Sequence, residues 1–354
     1  MHDRAPYGLS SCNAAHFPTL TGGCRPGSTA PRLHHVPWHA ERAVGFPKSQ
    51  RRSSAPVQSA KEGMRSADTS ALAAQAILAD PLFPYARLCY VDSVLKLYAE
   101  RPRLVELMRD AARIMTYGIV MSYWGGYRLQ ESSTWLTISR LKTVMAQFEV
   151  ASDRQLDHIL ARLVDTGYVT LHQPPQDSRL RVIHPTSVMI EHDLEWMRAH
   201  YVPLAILHGD SAYALALNGD PGFHPHLRAA SIPLFPHIAR NVLSQNTAMT
   251  RFLNRAFGVL ALMKIVQAIA RRDGAAMSYS ALGSAFGVSR THVRDIFAGE
   301  AGHGEAIVAR RRGFALAPSL LRSFDQLVAD GMVVSAIAYE TAQRDRGEAL
   351  QGRH

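Results

Sequence analysis

The chain has 354 residues and a formal net charge of +10, with 47% hydrophobic and 8% aromatic residues. That length suits two or three domains with a buried core, and the scarcity of aromatics fits small helical domains better than a large β protein. Three cysteines (Cys12, Cys24, Cys89) are too few for a disulfide framework, and no apolar run reaches the ~18 residues of a membrane span.

Residues 1–69 are rich in Pro, Gly, Ser, His and Arg and show no apolar period, which predicts a disordered basic segment or an extension upstream of a start at Met64. They hold nine Lys/Arg against four Asp/Glu, so half of the net charge of +10 lies there and the remainder is only mildly basic. From residue 70 to 128 the pattern turns helical, which predicts a region for packing or dimerisation. A short helix stops at Pro81, a second covers FPYARLCYVDSVLKLYAE, and a third opens at Pro102. In the third, Leu104, Leu107, Met108, Ala111, Met115 and Ile119 share one face, and Gly125–Gly126 ends it.

Residues 129–208 read as helix, turn, helix, hairpin, helix. The first helix, SSTWLTISRLKTVMAQF, buries Leu136, Leu141, Val144, Met145 and Phe148. Ser152 caps the next helix, where Leu156, Ile159, Leu160 and Leu163 face inward. Asp153, Arg154, Gln155, Asp157, His158 and Arg162 face outward, and Gly167 closes the helix. A hairpin follows around QPPQDS, then Pro185 and a further helix. Residues 209–250 carry several prolines and read as a loop-rich linker.

Residues 251–340 repeat the order. After one long helix, RFLNRAFGVLALMKIVQAIARR, Leu282 and Phe286 pack a short helix, Gly287 turns and Val288 inserts into the core. Ser289 caps a helix with Val293, Ile296 and Phe297 inside. A hairpin with Arg310, Arg311 and Arg312 at its tip leads into another helix, and 341–354 read as a disordered tail. Ser152 matches Ser289, Leu156 matches Val293, Ile159 matches Ile296, and Pro185 matches Pro318. One helix-turn-helix pattern is weak evidence; two copies, each followed by a basic hairpin, indicate internal duplication.

The first copy resembles the MarR-type winged-helix regulators of bacteria. Leu163, Gly167, Tyr168, Val169, Asp177, Arg179 and Thr186 stand at that family's spacing, while Pro185 takes the place of its usual Leu. The likeness covers about 65 residues from Trp135. A second winged helix in one chain departs from that family's ordinary layout, and the second copy looks like a generic winged helix; together the two copies imply a mainly α fold with two winged helix-turn-helix domains, short β-hairpin wings and long linking helices. The likeness also implies sequence-specific binding of double-stranded DNA by a cytoplasmic, nucleoid-associated transcriptional regulator. A homodimer and an unidentified small-molecule effector are compatible partners, and no membrane is expected.

Reading base edges needs polar and cationic side chains on an exposed helix, and gripping phosphate needs a basic hairpin beside it. The first copy offers Ser152, Arg154, Gln155, His158 and Arg162 on its helix, and Gln176, Arg179 and Arg181 on its hairpin. The second offers Ser289, Arg290, Thr291, His292 and Arg294, with Arg310, Arg311 and Arg312. Asp177 and Arg179 are also expected to bond each other and shape the hairpin, and Arg162 to have an acidic neighbour as its structural alternative. Asp153 and Asp157 count against close DNA contact by the first helix.

The sequence has no Gly-rich phosphate loop, nucleophile elbow or HExxH, so no enzyme activity and no cofactor are expected. His224, His226 and His237 would need to converge to bind a metal, and none is assigned. Trp124, Trp135 and Trp196 are expected to anchor the core. Two rival readings remain: a plasmid-type replication initiator with tandem winged helices, and a winged-helix protein-interaction module that binds no DNA.

Overall fold

The computed structural model describes residues 69–100, 106–174, 177, 179–271, 277–301, 307–310 and 313–351. The expectations for residues 1–68 lie outside these. The described chain is mainly helical, with two separate two-stranded antiparallel sheets. Helix α1 (Thr69–Ala79) leads into α2 (Phe83–Glu100) through a turn that Asp80 stabilises by accepting the Leu82 backbone N–H.

The helix predicted from Pro102 is interrupted: residues 106 and 107 are helical, 108–110 form a bend, and α3 (Ala111–Gly125) follows, while 101–105 lie outside the described residues. Asp110 breaks the run: its carboxylate caps the Arg113 backbone N–H and pairs with the Arg113 guanidinium. Residues Ser132–Thr134 form one 3-10 turn and not the start of a long helix. Trp135 to Thr137 then run alongside the first hairpin, where Leu136 accepts from the Ile183 N–H and Thr137 bridges Val182. Thr137 caps α4 (Ile138–Ala146), and Ser152 caps α5 (Asp153–Asp165).

Helix α5 ends in a paired closure. Gly167, at φ +74°, donates to Val164 O, and Tyr168 donates to Leu163 O. Strands β1 (Val169–His172) and β2 (Val182–Pro185) pair in the register Val169 to Pro185 and His172 to Val182. Helix α6 (Ser187–His208) then crosses the molecule and packs along α2. The region expected to serve packing or dimerisation, 70–128, thus packs through α2 on α6 within the chain.

Where the sequence reading expects a loop-rich linker, residues 209–250 form a succession of short helical turns. Pro225, Pro233 and Pro236 sit in first turns, where their missing N–H costs nothing, so they open helices. Among these turns is α7 (His224–Ala229), packed against α3. The next predicted helix is two: α8 (Thr247–Asn254) and α9 (Gly258–Arg271), bent by 114°. Phe257 adopts φ +64° and donates its N–H to Arg109 O at 2.8 Å. A Cβ at Gly258 would lie 2.2 Å from Phe252 O, so the corner requires glycine there.

Helices α10 (Tyr279–Phe286) and α11 (Arg290–Ala301) meet at Gly287, whose φ of +67° suits glycine. Val288 is only partly buried, though it packs against the core. Strands β3 (Ile307–Arg310) and β4 (Gly313–Leu316) pair antiparallel before α12 (Pro318–Gln351). The tail expected to be disordered from 341 is therefore helical to Gln351. Ala342 is buried there, and Arg346 reaches Asp220 at 3.4 Å and stacks over Phe223.

One continuous apolar core, from Ala74 to Ala342, draws on the helices and on β1, β2 and β4. Inside it lies a buried charge cluster. Asp193 of α6 accepts from Arg228 Nε at 2.6 Å and is bonded to His224 Nε2 at 2.5 Å; Arg228 Nη2 closes a second contact. Burial opposes charge on Asp193, but the Arg228 guanidinium and the bonds from His224 and Arg228 outweigh it and hold the carboxyl below its usual range. No single described helix is long and apolar enough to cross a membrane.

Candidate nucleic-acid interface

The first helix–turn–helix unit is α4 and α5 with the β1–β2 hairpin. Four apolar residues of α5 (Leu156, Ile159, Leu160, Leu163) are buried, which turns the opposite face outward. Arg154, His158 and Arg162 therefore line up at i, i+4 spacing, all exposed. None of the three pairs with an acidic group among the described residues, so Arg162 lacks the acidic neighbour offered as its structural role. Gln155 is exposed beside them. Ser152 is exposed too, but its hydroxyl is occupied as the cap for the Gln155 backbone N–H at 3.3 Å.

The two carboxylates expected to repel DNA are restrained. Lys142 of α4 lies 2.8 Å from Asp157 and 3.8 Å from Asp153. The hydrogen bond and charge of Asp157 raise the Lys142 pKa, which keeps the ammonium charged. The lysine thus offsets Asp153 and Asp157 and leaves Arg154 and Arg162, with Asp165 at the helix end, as the charges of α5 without an ion pair among the described residues. Nothing in the sequence marked Lys142 for this, because its partners lie across a turn.

On the first hairpin, Arg179 and Arg181 are exposed. Asp177 does not form an ion pair with Arg179; it accepts the Arg179 backbone N–H at 2.9 Å and so shapes the turn. Gln176 lies outside the described residues. Tyr168 Oη bonds His192 Nδ1 at 2.6 Å, which ties the hairpin base to α6.

The second unit is α10 and α11 with the β3–β4 hairpin. Gly283 makes the close approach of its two helices: a Cβ there would lie 2.5 Å from Val288 O. Ser289 caps α11 by accepting the His292 backbone N–H at 3.0 Å. Arg290, Thr291 and Arg294 are exposed. Arg294 pairs with Asp295 at 3.2 Å, with both side chains more than half exposed. His292 differs from the outward orientation expected of it: its ring bonds Ala256 O at 2.9 Å and fastens α11 to the α8–α9 corner. Beside it Arg255, which the sequence reading passed over, is exposed and bonds Asp295 O. The side chain of Arg310 and the whole of Arg311 and Arg312 lie outside the described residues.

Two of the three histidines weighed as metal ligands are engaged elsewhere. His224 bonds Asp193, and His237 bonds the Asn241 side chain at 2.8 Å. Among the described residues no group of three His, Cys, Asp or Glu is placed to hold a metal ion. Trp135 is buried and donates to Arg128 O; Trp196 is partly buried against Tyr98 and His200. No protein-family model, curated protein or solved structure matches this chain.

Proposed function

We propose that this chain binds double-stranded DNA sequence-specifically through two winged helix-turn-helix units, as a transcriptional regulator of bacterial type. The observation that carries the reading is a repeated arrangement. Two capped helices, α5 and α11, each expose basic side chains at i, i+4 spacing (Arg154, His158 and Arg162 on the first, Arg290 and Arg294 on the second), and a two-stranded hairpin follows each. In this reading α5 and α11 enter the major groove. Arg154, Gln155, His158 and Arg162 meet bases and phosphates from one unit; Arg290, Thr291 and Arg294 do so from the other. Exposed backbone N–H groups at the helix starts favour phosphate. Arg179 and Arg181 on the first hairpin, and the arginines of residues 310–312 on the second, grip the backbone beside each helix. The resemblance of the first unit to MarR-type regulators belongs to the same proposal.

The test is selection of bound duplexes from a random pool by the full chain. Two enriched half-sites on one duplex are expected, and Arg290→Ala or Arg294→Ala should weaken the selected site roughly tenfold or more and relax one half-site only. A pool that stays random after repeated rounds would contradict the proposal.

A further inference from the structure

A cavity of about 280 Å³ lies between the helices of the described chain. Its walls come from α2, α3, α6, α9 and α12 and are mostly carbon, including Ile114, Trp196 and Met263. Protein interiors normally close such spaces, because the surrounding side chains lose contacts across them.

Three details make this cavity more than loose packing. Gly118 in the middle of α3 and Gly331 in the middle of α12 both line it, and nothing lies within 4 Å of where a Cβ would stand on either. Glycine is poor inside a helix, so two glycines facing one space keep it open at the expense of helix stability. Ser122, one turn beyond Gly118, also lines it; it is 1% exposed, and its hydroxyl has no hydrogen-bond partner among the described residues. A buried hydroxyl left unpaired is costly and rare.

The walls carry no unbalanced charge. The Arg228 guanidinium at the edge is held by Asp193. The His200 ring is neutral near pH 7, its pKa pushed down to about 4 chiefly by burial. Tyr117 and Tyr201 have their hydroxyls bonded to Met189 O and Ser335 O. A ligand here would exchange water for carbon on most of its surface and meet one waiting hydroxyl.

We propose that this cavity is a binding site for a small, uncharged, largely apolar molecule whose single polar head hydrogen-bonds the Ser122 hydroxyl. The walls also bear on both units. Helix α3 packs against α4, α5 and β2, and α9 packs against α11 and β4. Occupancy would therefore shift the spacing of the two helix–turn–helix units; that consequence rests on the proposed function, whereas the binding does not.

The experiment uses the full chain with 1-naphthol, naphthalene and 1-naphthoate, followed by calorimetry and by the shift in melting temperature. Saturable 1:1 binding of 1-naphthol is expected, with 1-naphthoate at least about tenfold weaker because its charge would be buried unpaired. Ser122→Ala should weaken 1-naphthol about fivefold or more and leave naphthalene unchanged. Gly118→Leu should fill the space, abolish binding of both neutral probes and raise the melting temperature of the free protein. If Gly118→Leu does not fold, Ser122→Ala still decides through the naphthol-to-naphthalene ratio. The proposal is overturned by no saturable binding at millimolar 1-naphthol, by equal binding of the naphthoate, or by an unchanged ratio in Ser122→Ala. Naphthol binding by a chain that selects no DNA would sink the functional reading and leave this one standing.

Discussion

Both helix–turn–helix units share the apolar core, but the first adds a chain of buried polar groups and the second a cluster of aromatic rings beside the His292 bond. Tyr168 holds the first hairpin to His192 of α6, and the next residue, Asp193, is locked to Arg228 and His224. In the second unit Phe297 of α11 packs between Phe252, Tyr279 and Phe314, with ring centroids 5.8 to 6.4 Å apart. The turns differ as well. The first passes through Glu149 at φ +55°, a conformation tolerated by a non-glycine residue, and the second through Gly287 with Gly283 packed beneath it. The same order of elements is thus reached by two local chemistries. Equivalence between the units lies in apolar spacing and caps, and their stability has separate sources.

The strongest way to break this comparison is to remove one anchor from each side. Asp193→Ala should destabilise the chain by about 3–5 kcal/mol, because Arg228 would keep a buried charge without its counter-ion. Phe297→Ala should cost a similar ~3–5 kcal/mol through cavity formation. Urea unfolding measures both, and a loss under about 1 kcal/mol for Asp193→Ala would refute the polar anchor.

Acid should then separate the two mechanisms. Burial, with a smaller push from the Arg228 charge, lowers His200 to about 4, although a bond to the Trp196 carbonyl works the other way. The unfolded chain takes up that proton first, near the ordinary value of 6.5, so stability is full above 6.5 and falls as the pH drops toward about 4. Discounted for the partial exposure of the ring, the loss is about 2 kcal/mol. His184 of β2 and His208 of α6 are also lowered, chiefly by burial, and add loss of the same sign. Asp193, held below its ordinary value, loses its contribution only as the pH falls through its folded pKa. Hydrogen exchange between pH 7 and 4.5 should therefore quicken in β2 and α6 before α10 and α11; uniform acceleration would contradict the distinction.

The smallest effects are at the caps, where the units are alike. Ser152→Ala and Ser289→Ala should each cost about 1 kcal/mol, and thermal unfolding of both variants would show whether the match between these serines is energetic as well as positional.

Those caps were legible in the sequence because the signal is local. Ser152 and Ser289 stand next to their own apolar stripes, and Gly167 and Gly287 stand where a left-handed residue must follow. Boundaries set by distant partners were not legible. The corner at Phe257 depends on Arg109 O, and the break before α3 on the Asp110 cap. The prolines of 225–236 pointed to a loop because a proline signals a break as readily as a first turn. At the candidate interface the arginine stripe of α5 follows from periodicity, whereas its freedom from Asp153 and Asp157 depends on Lys142 across the turn. The inward ring of His292 needed Ala256, far away in sequence. The single core could not be read either, since each apolar stripe states that it is buried but not against what.

The most direct measurement of the central claim is fluorescence anisotropy of the full chain on labelled duplex DNA at about 50 and 200 mM salt. The account predicts tight binding at low salt that weakens by orders of magnitude at high salt, because several phosphate contacts release counterions, with a shallower slope for Arg154→Ala/Arg162→Ala. Absence of binding at low salt, or an affinity indifferent to salt and to both arginines, would contradict it.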